Sequence, residues 1–222
     1  MNDSAHQPPA GSDPKPLKAW AGSFGDAYTV RCAVSDGAVD GRVRVLETAL
    51  AALGADRPRS LLEVGSNLGL NLRALPKVLG AEAELWAVEP NASARARVIE
   101  DHVLPANRML EGFGHSVPLA DGAVELAMTS GVLIHVDPTL LEATMREIHR
   151  VASKYILCIE YFSSTPETIT YRGEEGLLFK RDFGGLYLDT FPDLELVDYG
   201  FFWKRMTVMD DSTWWLFRKT DA

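Results

Sequence analysis

Cysteine is scarce: the 222 residues hold only Cys32 and Cys158, with no CxxC pair and no Cys/His cluster. That excludes a disulfide framework and a zinc site of ordinary spacing. Cys158 lies in the apolar run Tyr155 to Ile159 and reads as a small core residue. No apolar run approaches the roughly 20 residues of a membrane span, and the first residues lack the charged-then-apolar order of a signal peptide. A soluble, cytoplasmic protein with no membrane partner is expected. Positive charge is also in deficit, with 22 basic residues against 31 acidic and a formal net charge of −9. Such a chain repels a polyphosphate backbone and offers no basic stripe, so nucleic acid is not an expected partner. Charge alone says nothing of the oligomeric state.

The composition is 46% hydrophobic, and the length suits one α/β domain with a full core. The Pro- and Gly-rich residues 1–16 carry no apolar periodicity and read as a disordered tail before a domain over residues 17–222. Val43, Val45, Leu46, Leu50 and Leu53 recur at helical spacing over Asp40 to Leu53, with Gly54 as the stop. A strand over Ser60 to Val64, a glycine turn and a helix to Gly80 follow, then a strand over Glu84 to Val88 and a helix from Ala92 towards His102. Strands over Val124 to Met128 and Tyr155 to Ile159 bracket a helix from Pro138 to about Val151. The alternation predicts a Rossmann-like, doubly wound α/β sheet, mostly parallel, with right-handed crossovers. A helix near Arg181 to Asp189 precedes two runs, Leu194 to Met206 and Thr213 to Lys219, that read as an antiparallel C-terminal hairpin closing the sheet.

The chemistry concentrates in Glu63-Val64-Gly65-Ser66-Asn67-Leu68-Gly69. Glycines between a strand and a helix let a ligand approach backbone that a Cβ would shield. Glu89, at the end of the next strand, is placed to accept both hydroxyls of a ribose. Dinucleotide sites instead use G-x-G-x-x-G to bring a helix N-terminus against pyrophosphate. Here Asn67 stands third, no glycine follows at Leu72, and Glu63 would repel a pyrophosphate. An acid there suits a ligand with an ammonium group and no phosphate, such as S-adenosylmethionine.

Together the E-V-G-S-N-L-G-L-N-L segment and Glu89-Pro90-Asn91 resemble the class I S-adenosylmethionine-dependent methyltransferases over about Ser60 to Phe162. A closer resemblance, from Trp20 to the end, is to the pseudaminic acid biosynthesis-associated methylases. It rests on W-x-x-x-F-G-x-x-Y (Trp20 to Tyr28), G-V-L-I-H (Gly131 to His135), Y-R-G (Tyr171 to Gly173), F-K-R-D-F (Phe179 to Phe183), D-Y-G-F (Asp198 to Phe201) and Thr213-Trp214. The resemblance implies that Glu63, Gly65, Ser66, Asn67 and Gly69 line the methionine and ribose of S-adenosylmethionine, that Glu89 and Pro90 border the ribose, and that Gly112 and Phe113, after Glu111, flank the adenine. It implies a biosynthetic small-molecule acceptor, a sugar or nucleotide-linked sugar among them, without fixing which.

Methyl transfer from a sulfonium needs alignment and exclusion of water rather than a metal. A hydroxyl or ammonium acceptor also needs a base, and His135, just past the fourth strand, is the candidate, its neutral-pH pKa suiting the task; it reads equally as a packing residue in Val132 to Val136. Tyr171, Arg172, Lys180 and Arg181 form a cationic cluster where class I enzymes place acceptor loops, and arginine grips carboxylate or phosphate, so an anionic acceptor is expected. The same cations also read as local partners of Glu174, Glu175 or Asp182. Glu160 and Tyr161 end the fifth strand and are expected to face the acceptor. Trp20, Phe24 and Tyr28 read as a lid or as core packing, with Tyr28 offering a polar tip to substrate. Two other classes stay open: a non-catalytic S-adenosylmethionine-binding protein, and a nicotinamide-dependent oxidoreductase.

Overall fold

The computed structural model describes residues 14–32, 34–207 and 209–220. Most of the expected tail therefore lies outside the described residues, although Pro14 already caps helix α1 (Lys15–Ala21). Two helices that sequence periodicity did not mark, α1 and α2 (Ser23–Arg31), precede α3 (Asp36–Ala49). Ser35 caps α3 by accepting the Ala38 N–H, which starts it four residues earlier than its apolar spacing suggested. The stretch Ala51–Leu53 tightens into a 3-10 turn before Gly54, whose φ of 54° ends the helical path.

The sheet has seven strands in the order β3-β2-β1-β4-β5-β9-β8. These are β1 (Ser60–Val64), β2 (Glu84–Glu89), β3 (Met109–Glu111), β4 (Val124–Ser130), β5 (Ala152–Glu160), β8 (Leu194–Phe202) and β9 (Ser212–Lys219). Strands β1 to β5 are parallel, and β9 runs antiparallel to both β5 and β8. The order reverses between β1 and β4, which opens a crevice at their carboxyl ends. Helices α3, α4 (Leu70–Leu79) and α5 (Ala92–Glu100) cover one face; α6 (Pro138–Val151) and α7 (Phe183–Thr190) cover the other.

Each central strand feeds both cores. Leu61 packs with Leu75, Leu126 and Leu157 on one side, and Leu62 with Ala127, Ile148 and Ile156 on the other. Fully buried leucines of this kind are each worth about 2–5 kcal/mol against truncation to alanine. A rigid sheet thus fixes the strand ends from which the loops spring.

Between β5 and α7 the chain forms a separate two-stranded hairpin, β6 (Glu167–Tyr171) and β7 (Glu174–Lys180), where sequence reading placed only acceptor loops. Arg172 at φ 54° and Gly173 at φ 83° form its two-residue turn, both left-handed as a type I′ turn requires. Lys15 bonds Glu174 at 2.8 Å and the Glu175 carbonyl at 2.8 Å, tying α1 to this hairpin.

Candidate functional site

Two cavities open at the carboxyl ends of the central strands, one of about 210 Å³ and one of about 370 Å³. The first is lined by Glu63, Gly65, Ser66, Asn67, Glu89, Pro90, Gly112 and Phe113, so the structure brings together eight of the nine expected cofactor residues. Gly69 is the exception. It stands behind the loop at φ 69°, ending the turn that starts α4, with its N–H donating to the Ser66 carbonyl.

The loop's shape follows from its backbone. Gly65 (φ 73°) and Asn67 (φ 45°) both take left-handed conformations, which glycine and asparagine tolerate best. A Cβ on Gly65 would come within 2.6 Å of the Val132 side chain, so the loop's approach to the segment after β4 requires glycine there. Asn67 is held from two sides: its N–H donates to Glu89 Oε2 at 2.8 Å, and its side-chain oxygen accepts the Thr29 hydroxyl at 2.9 Å. Asparagine in the third position is thus a linker between the loop and α2.

Two carboxylates face the cavity. Glu89 spends one bond of each oxygen on the Asn67 and Asn91 N–H groups, which leaves the remaining lone pairs for hydroxyl donors. Glu63 is buried; Asn71 donates to its Oε1 at 2.6 Å, and its Oε2 has no partner among the described residues. Burial pushes its pKa up to about 8, against the opposing pull of the Asn71 bond and the Arg42 charge. Ser66 Oγ and Trp20 Nε1, also on this cavity, are buried and unpartnered as well. The orphaned Glu63 Oε2 and the free lone pairs of Glu89 suit a ligand bearing a cation and hydroxyl groups, while Trp20 Nε1 and Ser66 Oγ can donate to an acceptor atom on it.

The second cavity shares Tyr28, Arg42, Ser130, Gly131 and His135 with the first. His135 closes the 3-10 turn Leu133–His135 after β4. Its Nδ1 donates to the Leu177 carbonyl on β7, which fixes the tautomer and leaves the Nε2 lone pair available. Burial holds its pKa down at about 4, below the neutral-pH value expected of it, so the ring is a neutral acceptor at physiological pH. Trp20 lies 4.5 Å and Tyr171 5.1 Å from it by ring centroids, and Phe24 and Tyr28 pack edge-on against Trp20. The aromatics of α1 and α2 thus pack together, and of the three Trp20 and Tyr28 line the first cavity while Phe24 packs against Trp20.

Of the acceptor-side residues, Tyr28, Tyr161, Tyr171 and Arg172 line the second cavity. Glu160, Lys180 and Arg181 do not. Glu160 is fully buried and accepts the N–H groups of Val132, Leu133 and Ile134 at 3.1, 3.1 and 3.3 Å, so it shapes the turn that carries His135 rather than facing substrate. Lys180 lies over the Tyr161 ring, and Arg181 serves through its backbone, its carbonyl accepting the Ser163 N–H. Both stand where the hairpin rejoins the sheet.

Sequence reading missed Arg42, Asn71 and Asn91. Arg42 sits at i−3 of Val45 and i−4 of Leu46, on the buried face of α3, a position where a cation is itself a signal. It borders both cavities and forms no ion pair among the described residues. Asn91 caps α5 through the Ala94 N–H and reaches with Nδ2 to Asp26 and the Trp20 carbonyl, tying the lid to the Glu89 loop.

The fold is that of the Rossmann-like S-adenosylmethionine-dependent methyltransferases, and residues 62–155 match the family described as a methyltransferase domain. No curated protein is significantly similar to the chain in sequence. Among solved structures, it is similar to Burkholderia thailandensis 1,6-didemethyltoxoflavin-N1-methyltransferase, with bound 1,6-didemethyltoxoflavin and S-adenosylhomocysteine (TM-score 0.61, 16% identity, 89% of this chain and 83% of that one). It is similar to magnesium protoporphyrin IX methyltransferase from Synechocystis PCC 6803 with S-adenosylhomocysteine (TM-score 0.61, 12% identity, 91% and 97%). A third likeness is to the structure of the Haloferax volcanii Trm112 methyltransferase activator in complex with its partner (TM-score 0.66, 13% identity, 89% and 96%). At these identities the likeness is one of fold. No helix among the described residues is long and apolar enough to cross a membrane.

Proposed function

We propose that this chain is an S-adenosylmethionine-dependent methyltransferase acting on an oxygen or nitrogen of a small anionic metabolite. The observation that carries the reading is the junction of two cavities at His135: one has two acids and unpartnered polar atoms suited to the donor, and the other is open to an acceptor. Glu63 would hold the ammonium group, Glu89 the ribose hydroxyls, and Gly112 and Phe113 the adenine edge. Bound there, S-adenosylmethionine supplies an electrophilic methyl on a sulfonium. The acceptor atom's lone pair forms the new bond to that methyl as the C–S pair returns to sulfur, and His135 Nε2 takes the acceptor's proton. Alignment at the junction and exclusion of water by Trp20, Phe24 and Tyr28 do most of the work.

The resemblance to the pseudaminic acid-associated methylases favours a sugar or nucleotide-linked sugar as acceptor. Its scattered motifs gain a common purpose here, since Trp20, Phe24, Tyr28, His135 and Tyr171 form one aromatic cluster. Calorimetric titration with S-adenosylmethionine, S-adenosylhomocysteine and NAD tests the donor side. The first two should bind and weaken at least about tenfold in Glu89→Ala, as expected for hydrogen bonds to a charged group. Binding of NAD alone would redirect the search to hydride transfer. Binding of the donor without methyl transfer to any of a broad panel of anionic sugars would leave a non-catalytic binding protein.

A further inference from the structure

We infer that the second cavity holds its acceptor end-on, with the anionic group at the mouth on Arg172 and Lys204 and the methyl-accepting atom at the floor beside His135. The inference rests on the methyltransferase reading and adds an orientation and a substrate class to it.

The cavity has two distinct ends. Tyr28, Arg42, Ser130, Gly131 and His135 also border the donor cavity, so they mark the floor where transfer must occur. Arg172 and Lys204, lining the second cavity alone, are exposed and mark the mouth. Between them stand Tyr161 and Tyr171, whose rings offer a flat apolar face to a ligand's body and a polar tip to its substituents.

The charge is set against the rest of the molecule. In a chain of formal charge −9 this cavity carries three cations, Arg42, Arg172 and Lys204, against the single carboxylate of Asp210. Asp210 is engaged by Lys204 at 2.6 Å and by the Tyr161 hydroxyl at 3.0 Å, so that pair offsets itself and the excess charge rests on Arg42 and Arg172, with Lys204 held beside them at the mouth. Arg172 forms no ion pair among the described residues. A local excess of positive charge in an acidic protein focuses anions into the opening.

The backbone at Arg172 points the same way. The first position of a type I′ turn favours asparagine or glycine, because φ must be positive. Arginine at φ 54° therefore carries a conformational cost that a purely structural turn would avoid. Its guanidinium rests 5.5 Å from the centre of the Tyr171 ring, beside the cavity.

Chemistry then separates the anion from the reacting atom. Arg42 also stands at the floor, but there the charges of Glu63 and Asp210 act on it, so a carboxylate or phosphate oxygen that itself took the methyl would have to leave Arg172 and Lys204 for a cation already countered, and its charge would fall on methylation. An anion held at the mouth keeps its charge in the product. The acceptor class is thus a hydroxyl- or amino-bearing molecule, a sugar on the reading proposed above, with a phosphate or carboxylate at the end remote from the methylated atom.

The test uses the full chain saturated with S-adenosylhomocysteine, titrated with glucose, glucose 6-phosphate, glucuronate and inorganic phosphate. The two anionic sugars should bind at least about tenfold more tightly than glucose and lose that margin in high salt. Arg172→Asn with Lys204→Gln should weaken them about tenfold, while thermal stability and S-adenosylhomocysteine affinity hold, because asparagine is at home in the turn. Equal binding of glucose and its anionic forms, no binding of either anionic sugar, or an unchanged affinity in the double variant would overturn the orientation. Failure of S-adenosylhomocysteine itself to bind would overturn the methyltransferase reading beneath it.

Discussion

Glu63 illustrates how a residue's surroundings set its chemistry. With one oxygen bonded to Asn71 and the other unpartnered, its pKa stands at about 8, so the side chain is protonated near pH 7 before ligand arrives. An ammonium group placed against it favours the carboxylate and draws that pKa down, so one proton must leave on binding. The expected outcome is that S-adenosylhomocysteine affinity climbs between about pH 6 and pH 8, with a binding enthalpy that varies with the buffer's ionisation heat. Glu63→Gln should flatten that slope and weaken binding about tenfold. A pH-independent affinity in the unaltered protein would place the ammonium elsewhere. At this scale the sequence was informative wherever a motif sits in a loop between strand and helix. Glu63, Ser66 and Glu89 were readable because their chemistry and their place in the chain agree. Arg42 escaped notice because it lies inside an amphipathic helix, where the eye follows the apolar residues rather than the cation among them.

The elements that carry His135 depend on a residue from another strand. Glu160, at the end of β5, accepts three successive N–H groups of the segment after β4, and this holds the 3-10 turn in register with the sheet. A carboxamide keeps the shape but offers one accepting oxygen and turns an NH₂ towards an N–H. Glu160→Gln should therefore leave one buried donor unsatisfied, at a cost of about 1–3 kcal/mol. Hydrogen exchange should speed up at Val132 to Ile134, and methyl transfer should slow as His135 loses its position. S-adenosylhomocysteine affinity should hold, since Glu63 and Glu89 lie on β1 and β2. Unchanged protection of those amides would show that the turn stands without Glu160. The same strand end explains a limit of sequence reading: position at a strand's C-terminus shows that a side chain is near the crevice, not whether it faces ligand or braces a loop. The β6–β7 hairpin was likewise hidden, because its turn is Arg-Gly rather than Asn-Gly, β6 is largely exposed, and β7 buries Leu177, Leu178 and Phe179 in a row instead of alternating. By contrast the parallel core was closely legible at β1, β2 and β4, with their continuous apolar runs and glycine breaks, while β5 starts three residues before its expected first residue and the short β3 gave no apolar run to bound it.

At the scale of the whole molecule, two buried acids make the ligand-free fold sensitive to alkali. Glu63 and Glu160 stand at about 8 and about 7, against an ordinary value of 4.5 that both recover when the chain unfolds. Below that ordinary value the folded and unfolded states hold the same protons, and the stability these groups contribute is fully present. As pH rises towards 7 and 8 the unfolded chain has released its protons while the folded one still holds them, so that contribution is lost. His135, held down at about 4, adds stability as pH rises to about 6.5 and opposes this loss, so the ligand-free melting temperature should fall chiefly between about pH 6.5 and pH 8. S-adenosylhomocysteine at one fixed concentration, about a hundred times its dissociation constant at pH 6, adds about 2.7 kcal/mol there. For a domain of this size that corresponds to about 5–10 °C. Because an ammonium partner lets Glu63 ionise without loss, this gap should widen as pH rises from about 6 to about 8 and stay constant in Glu63→Gln. Scanning calorimetry with and without ligand across that range decides the matter. A gap that stays level in the unaltered protein would show that the ligand's ammonium group does not meet Glu63.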